Sequence, residues 1–110
     1  MNATLRQLLV GIAFMTAANC AAAQEMGDAK EGLAFAGRVC AECHAVRAGE
    51  TQSPHAQAPS FQTVANISGM TATALRVWFQ SAHRAMPNLA LSGQESANVI
   101  AYIQSLKTRD

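Results

Sequence analysis

One short string, Cys40-Ala41-Glu42-Cys43-His44, restricts the possible folds of this chain more than any other feature. Residues three apart on a helical turn lie on the same face, so the two thiols point in the same direction. The imidazole of His44 follows directly. The string therefore gathers two sulfurs and one imidazole within five residues, and the fold has to accommodate whatever these groups bind.

The spacing C-x-x-C-H is the attachment pattern of c-type haem. It predicts one haem c, bound covalently through Cys40 and Cys43, with His44 as an iron ligand. Three other interpretations use the same residues. A disulfide suits an oxidising compartment, and a thioredoxin-like redox pair requires a βαβ context that the sequence lacks. A zinc site normally needs four ligands, and only His55 or His83 is left as the fourth.

The N-terminal residues have the order of a secretory signal peptide. Arg6 precedes the apolar run Leu8–Met15, and small residues, Ala21–Ala23, follow it. We therefore predict a signal peptide over residues 1–23, a functional domain over residues 24–110 and a periplasmic location. The apolar run is shorter than the roughly 20 residues of a membrane-spanning helix, so no stable membrane insertion is expected after cleavage. An uncleaved anchor and lipid attachment at Cys20 are the alternatives.

Charge excludes one class of partner. Without the leader the chain has seven Lys and Arg residues and seven Asp and Glu residues. No basic stripe or charge run is present, so nucleic acid is not an expected ligand. We expect a monomer.

The remaining pattern predicts an all-α fold with three principal helices. The first is expected at about residues 29–39, the second after Thr71 with Leu75, Trp78 and Phe79 on one face, and the third after a capping box of Ser92 and Glu95. A short helical piece is expected at residues 61–67. So small a set of helices buries little apolar surface unless a large group, such as a haem, sits inside it.

The chain as a whole, over residues 24–110, resembles the class I monohaem cytochromes c. The resemblance is carried by Gly32 ahead of the CAECH string, a loop reaching Pro59, the pair Met86-Pro87 and the closing helix VIAYIQSLK. It implies helices and loops wrapped around one haem, with the first and last helices crossing at Gly32, Ala36, Val99 and Tyr102.

The same resemblance implies roles for three further residues. The carbonyl of Pro59 would accept a hydrogen bond from the second ring nitrogen of His44, which fixes the tautomer of an iron ligand. Met86 would be the sixth iron ligand, with Met70, His83 or an open position as alternatives. Trp78 would pack on the haem and donate its indole N–H to a propionate; the alternative is a plain core aromatic.

Ligation by His44 and Met86 would fill both axial positions and raise the reduction potential, which favours electron transfer over enzymatic catalysis. We expect a dehydrogenase or bc1-type complex as donor and a terminal oxidase as acceptor. A haem-bearing subunit of a dehydrogenase complex, and an open-site haem sensor or enzyme, are the alternatives. Outside the leader the lysines are Lys30 and Lys107, so docking is expected through a small apolar patch near Met86.

Overall fold

The structure is a computed structural model that describes residues 26–81, 83, 85–87 and 89–109. Its elements are four helices in the order α1 Ala29–Val39, α2 Phe61–Ala65, α3 Ala72–Phe79 and α4 Gly93–Ser105. Over these described ranges the chain forms no strand. The predicted all-α class is confirmed, with α1, α3 and α4 as the principal helices. The predicted signal peptide, residues 1–23, lies outside the described residues.

Each helix begins at a residue whose side chain accepts a hydrogen bond from the first turn. The N-cap residues are Asp28, Ser60, Thr71 and Ser92. At Ser92 both halves of the predicted capping box with Glu95 are present. These local signals explain why the helix starts agree with the sequence pattern.

Helices α1 and α4 cross at a contact that only glycine permits on the α1 side. A Cβ atom added to Gly32 would lie 2.0 Å from the carbonyl oxygen of Asn98 and 2.8 Å from Cβ of Tyr102. Just before α1, a Cβ on Gly27 would lie 1.9 Å from the carbonyl oxygen of Ala97. The backbone of α4 is therefore in close contact with α1 and with the residues that precede it, and the fully buried Val99 lies on α4 next to this contact.

The C-terminal end of α4 is tied to the segment around α2 by hydrogen bonds. Gln62 Nε2 donates to the carbonyl of Leu106 at 2.6 Å, and Lys107 Nζ donates to the carbonyl of Met70 at 3.1 Å. Asn66 Oδ1 accepts from the backbone N–H and the hydroxyl of Thr108. These bonds hold α2 against α4 and so position the residues that precede and follow α2.

Helix α3 does not bury Trp78, which contradicts the alternative that this residue is a plain core aromatic. Leu75 is 2% exposed and Phe79 is half-buried, but Trp78 is 56% exposed. At 100° per residue Trp78 lies about 60° from Leu75 around the helix axis, which is enough to turn its ring away from the core. The ring instead stacks on His83, with centroids 3.8 Å apart and planes 13° apart.

Candidate haem-binding site

The two cysteines lie at the end of α1, on a turn that the backbone closes. Cys40 is the C-cap residue of α1, and its carbonyl accepts from the N–H groups of Cys43 at 3.2 Å and His44 at 2.9 Å. Cys40 is buried and Cys43 is half-buried. Burial raises the pKa of the Cys40 thiol to about 11, so as a free thiol it is uncharged at neutral pH.

The described residues give no support to the competing interpretations of the string. Cys40 and Cys43 are not bonded to each other in the structure. The described part of the chain has no strands, and therefore lacks the βαβ context of a thioredoxin-like pair. Among the same residues no three His, Cys, Asp or Glu side chains are arranged to hold a metal ion.

His44 is held by a hydrogen bond to the loop that returns past it. Its Nδ1 lies 2.7 Å from the carbonyl oxygen of Pro59, which is the contact that the family resemblance implies. A carbonyl oxygen only accepts, so Nδ1 carries the proton and the lone pair of Nε2 is available to a metal. A second contact supports the ring: the centroid of Phe61 lies 5.5 Å from that of His44, with the planes tilted by 52°.

The loop between His44 and Pro59 is fixed to the backbone of the string. Ser53 Oγ accepts from the N–H of Ala45 at 2.9 Å, and the N–H of His55 donates to the carbonyl of Cys43 at 3.1 Å. Gly49 turns the chain with a φ of +79°, in the region that glycine adopts without strain. His55 is exposed, and its Nδ1 accepts a hydrogen bond from the backbone N–H of Gln57, so its side chain stabilises the loop.

The two candidate methionines occupy different environments. Met70 is half-buried and packs against the buried core cluster, while Lys107 binds its carbonyl. Met86 is half-buried in the irregular segment between α3 and α4. His83 Nε2 lies 2.5 Å from the carbonyl oxygen of Trp78, so a hydrogen bond holds the His83 ring at the end of α3.

The sequence model of the family described as "Cytochrome c" matches residues 29–107. The chain belongs to the cytochrome c family. It is also 33% identical over 107 residues to a protein named "Cytochrome c-552" from Bradyrhizobium diazoefficiens, covering 97% of this chain and 99% of that protein. No solved structure gave a significant match.

Membership of the cytochrome c family implies a covalently attached c-type haem with iron as the cofactor. The residues of this structure fit that group. Cys40 and Cys43 are unbonded thiols on one turn, and the protonated Nδ1 of His44 leaves Nε2 for iron. Two thiols for thioether attachment and one imidazole for iron are the groups that a c-type haem requires. Cys40, Cys43 and His44 are thus the residues that would hold the haem.

Three contacts, two at the site and one at the start of α1, were not anticipated from the sequence. Phe61 lies against His44; the hydroxyl of Tyr102 donates to the carbonyl of Val46 at 2.5 Å; and Asn98 Oδ1 accepts from the N–H of Asp28 at 2.8 Å. Each joins residues from different helices or loops. The only sequence signal for Phe61 is its position two residues after Pro59, at the start of a capped helix.

None of the helices in the described part of the chain has the length and apolar character required to cross a membrane. Members of the cytochrome c family are typically exported electron carriers that exchange electrons with other redox proteins.

Proposed function

We propose that this chain is a periplasmic electron carrier whose haem iron is bound by His44 and Met86. The observation that carries the proposal is the hydrogen bond between His44 Nδ1 and the carbonyl of Pro59. It fixes the imidazole in the tautomer that an iron ligand needs, one residue after the two free thiols. The haem, when bound, supplies an iron that takes up and releases one electron.

The chain's own residues would keep the haem in one place and one coordination state. Thioether bonds at Cys40 and Cys43 would prevent loss of the cofactor when the small fold opens. The Pro59 carbonyl would increase the basicity of His44 and hold its orientation. Two protein ligands would leave iron no free position for a substrate, so the reaction is electron transfer alone.

Met86 is the preferred sixth ligand because the competing side chains have other contacts. Met70 packs against the core and His83 is bonded to the end of α3. Met86 lies in the irregular segment between α3 and α4, from which its thioether would reach the haem. A thioether opposite an imidazole stabilises reduced iron and raises the potential.

The proposed partners are a dehydrogenase or bc1-type donor and a terminal oxidase acceptor. Outside the leader only Lys30 and Lys107 are lysines, and Lys107 is engaged with the carbonyl of Met70. Docking would therefore depend on apolar contact near Met86 rather than on a lysine ring. The rate of reduction by a physiological donor should change little with added salt. A steep decrease would contradict apolar docking.

The test of the carrier function begins with the chain expressed together with a haem-attachment system. Intact mass should give one covalent haem per chain, and absence of that mass would reject the proposal. The purified protein should undergo a reversible one-electron reduction. Carbon monoxide added to the reduced form should bind slowly or not at all, because both axial positions are filled. Ready binding would instead support an open-site sensor or enzyme.

A further inference from the structure

The ring of Phe61 occupies the centre of a closed set of contacts around His44. On one side its centroid lies 5.5 Å from the imidazole, and on the other it lies 6.4 Å from the ring of Tyr102. The hydroxyl of Tyr102 donates to the carbonyl of Val46, two residues after His44. The contacts therefore run from His44 through Phe61 and Tyr102 and back to the loop that carries His44.

The backbone of Phe61 contributes to the same arrangement. Its N–H donates to the carbonyl of Ala45 at 2.9 Å, so the residue after His44 is bonded directly to the residue whose ring supports it. Phe61 also begins α2, where Ser60 caps the first turn through the N–H of Thr63 at 3.0 Å. Because its side chain is only 5% exposed, the ring has little freedom to move away from His44.

We propose that Phe61 is a positioning residue that sets the plane of the His44 imidazole. The hydrogen bond to Pro59 restrains one atom of the imidazole, but the ring plane can still tilt through the side-chain torsions of His44. A tilted aromatic neighbour restricts this rotation, since the edge of one ring favours the face of the other. Tyr102 restricts Phe61 in turn, so the last helix determines the orientation of the proposed iron ligand. The inference rests on the proposed role of His44.

The test compares the holoprotein with Phe61→Leu, which keeps apolar volume but removes the flat ring. In the reduced protein, hydrogen exchange of the His44 Nδ1 proton is measured by ¹⁵N NMR and divided by that of the slowest backbone amides. We expect this ratio to rise at least about tenfold, because a loosened imidazole breaks its bond to Pro59 without global unfolding. In the oxidised protein, the spread of the haem methyl resonances, which depends on the imidazole plane, should change.

Ile100→Ala is the matched control, since it removes buried volume from the same core without removing a ring. It should accelerate the Nδ1 proton and the slowest amides together, which leaves the ratio unchanged. If Phe61→Leu fails to accumulate with haem, Phe61→Met provides a flexible substitute of similar volume. An unchanged ratio and unchanged methyl resonances in the Leu or Met variant would overturn the positioning role. If the unmodified holoprotein shows no histidine on iron, the proposed function fails instead.

Discussion

The two sides of the haem site differ in how much of their geometry the polypeptide itself fixes. On the histidine side, residues 40–61, the loop returns to the CAECH string through bonds at Cys43, His44 and Ala45. On the methionine side, residues 81–91, the hydrogen bonds of the described residues are local, from Ser81 and His83 to α3 and within Leu89–Leu91. An open cleft of about 290 Å³ separates Leu89–Gly93 from α3.

This contrast indicates that the two proposed iron ligands are held in place in different ways. The imidazole is oriented by protein contacts before iron has any influence on it. Among the described residues of the methionine side, the hydrogen bonds reach only α3 or near neighbours in the chain, so a bond from Met86 to iron would itself hold that segment in place. Loss of a histidine-side contact should therefore damage the whole protein, whereas loss of the proposed ligand Met86 should damage one segment.

The largest expected effect comes from removing the covalent anchors on the histidine side. The double variant Cys40→Ser with Cys43→Ser should contain no covalent haem, as measured by intact mass after denaturation. Cys43→Ser alone should keep one thioether bond at Cys40, with a haemochrome band displaced toward that of haem carrying one free vinyl group. Covalent haem in the double variant would show that attachment does not use this string.

The next effect concerns the crossing of α1 and α4, since α1 leads directly into the histidine side. Gly32→Ala would force a Cβ atom to 2.0 Å from the carbonyl of Asn98, and α1 would have to move away from α4. We expect the free energy of unfolding to fall by about 2–3 kcal/mol in chemical denaturation.

Gly37→Ala is the internal control for Gly32→Ala. The added Cβ at Gly37 meets nothing within 4 Å and lies in the same helix. Alanine should stabilise α1 there by about 0.5–1 kcal/mol, because it restricts the unfolded chain. Equal destabilisation by both substitutions would mean that the crossing contact is unimportant.

A smaller effect on stability, with a clear effect on ligand binding, is expected on the methionine side. Met86→Ala should allow carbon monoxide to bind the reduced haem at least about tenfold faster, while the unfolding free energy changes less than in Gly32→Ala. Met70→Leu is a volume-conserving change in the core and should cost less than about 1.5 kcal/mol without opening the iron. Rapid carbon monoxide binding in Met70→Leu alone would identify Met70 as the ligand.

The smallest effect is a pH dependence at the start of α4, where the methionine side ends. Hydrogen bonds from the backbone and side chain of Ser92 lower the pKa of Glu95 below its ordinary value of 4.5, and the positive charge of Arg38 adds to this. A group with a lowered folded pKa stabilises the protein above its unfolded pKa, and this stabilisation is lost as the pH falls through the folded pKa. Glu95→Gln should remove that part of the pH dependence.

Thermal unfolding of the two proteins, followed from about pH 6 down to pH 3, measures this difference. The unmodified protein should lose its advantage over Glu95→Gln at the acidic end of the range. Curves that stay parallel throughout would show that the capping box contributes nothing through ionisation.

What the sequence predicted well are the features that depend on neighbours in the chain. The CAECH string and the capping box of Ser92 and Glu95 act within a few residues, so the pattern alone reveals them. Helix α2 illustrates the limit: it ends at Ala65 rather than Ile67, because the side chain of Asn66 donates back to the carbonyl of Gln62 at the C-terminal end.

What the sequence did not predict depends on how separate elements meet. Trp78 lies at the edge of the apolar face of α3, and only the packing of its neighbours decides whether the ring turns inward or toward His83. The contact of Phe61 with His44 and Tyr102 depends on where α2 is placed against α4. No periodicity in the sequence encodes that placement. The family resemblance therefore predicted that α1 and α4 cross, but not that the ring of Phe61 contacts His44 and Tyr102.

The crossing of α1 and α4 also has a kinetic consequence. The hydrogen bond from Asp28 to Asn98 spans 70 positions in the chain, and closing a flexible loop of that length costs entropy worth about 4 kcal/mol. Helices of 11 and 13 residues are marginal in water when isolated, so neither has a stable partner until the ends meet. We therefore expect the pairing of α1 with α4 to limit the rate of folding, and both helices should form and open in a single step.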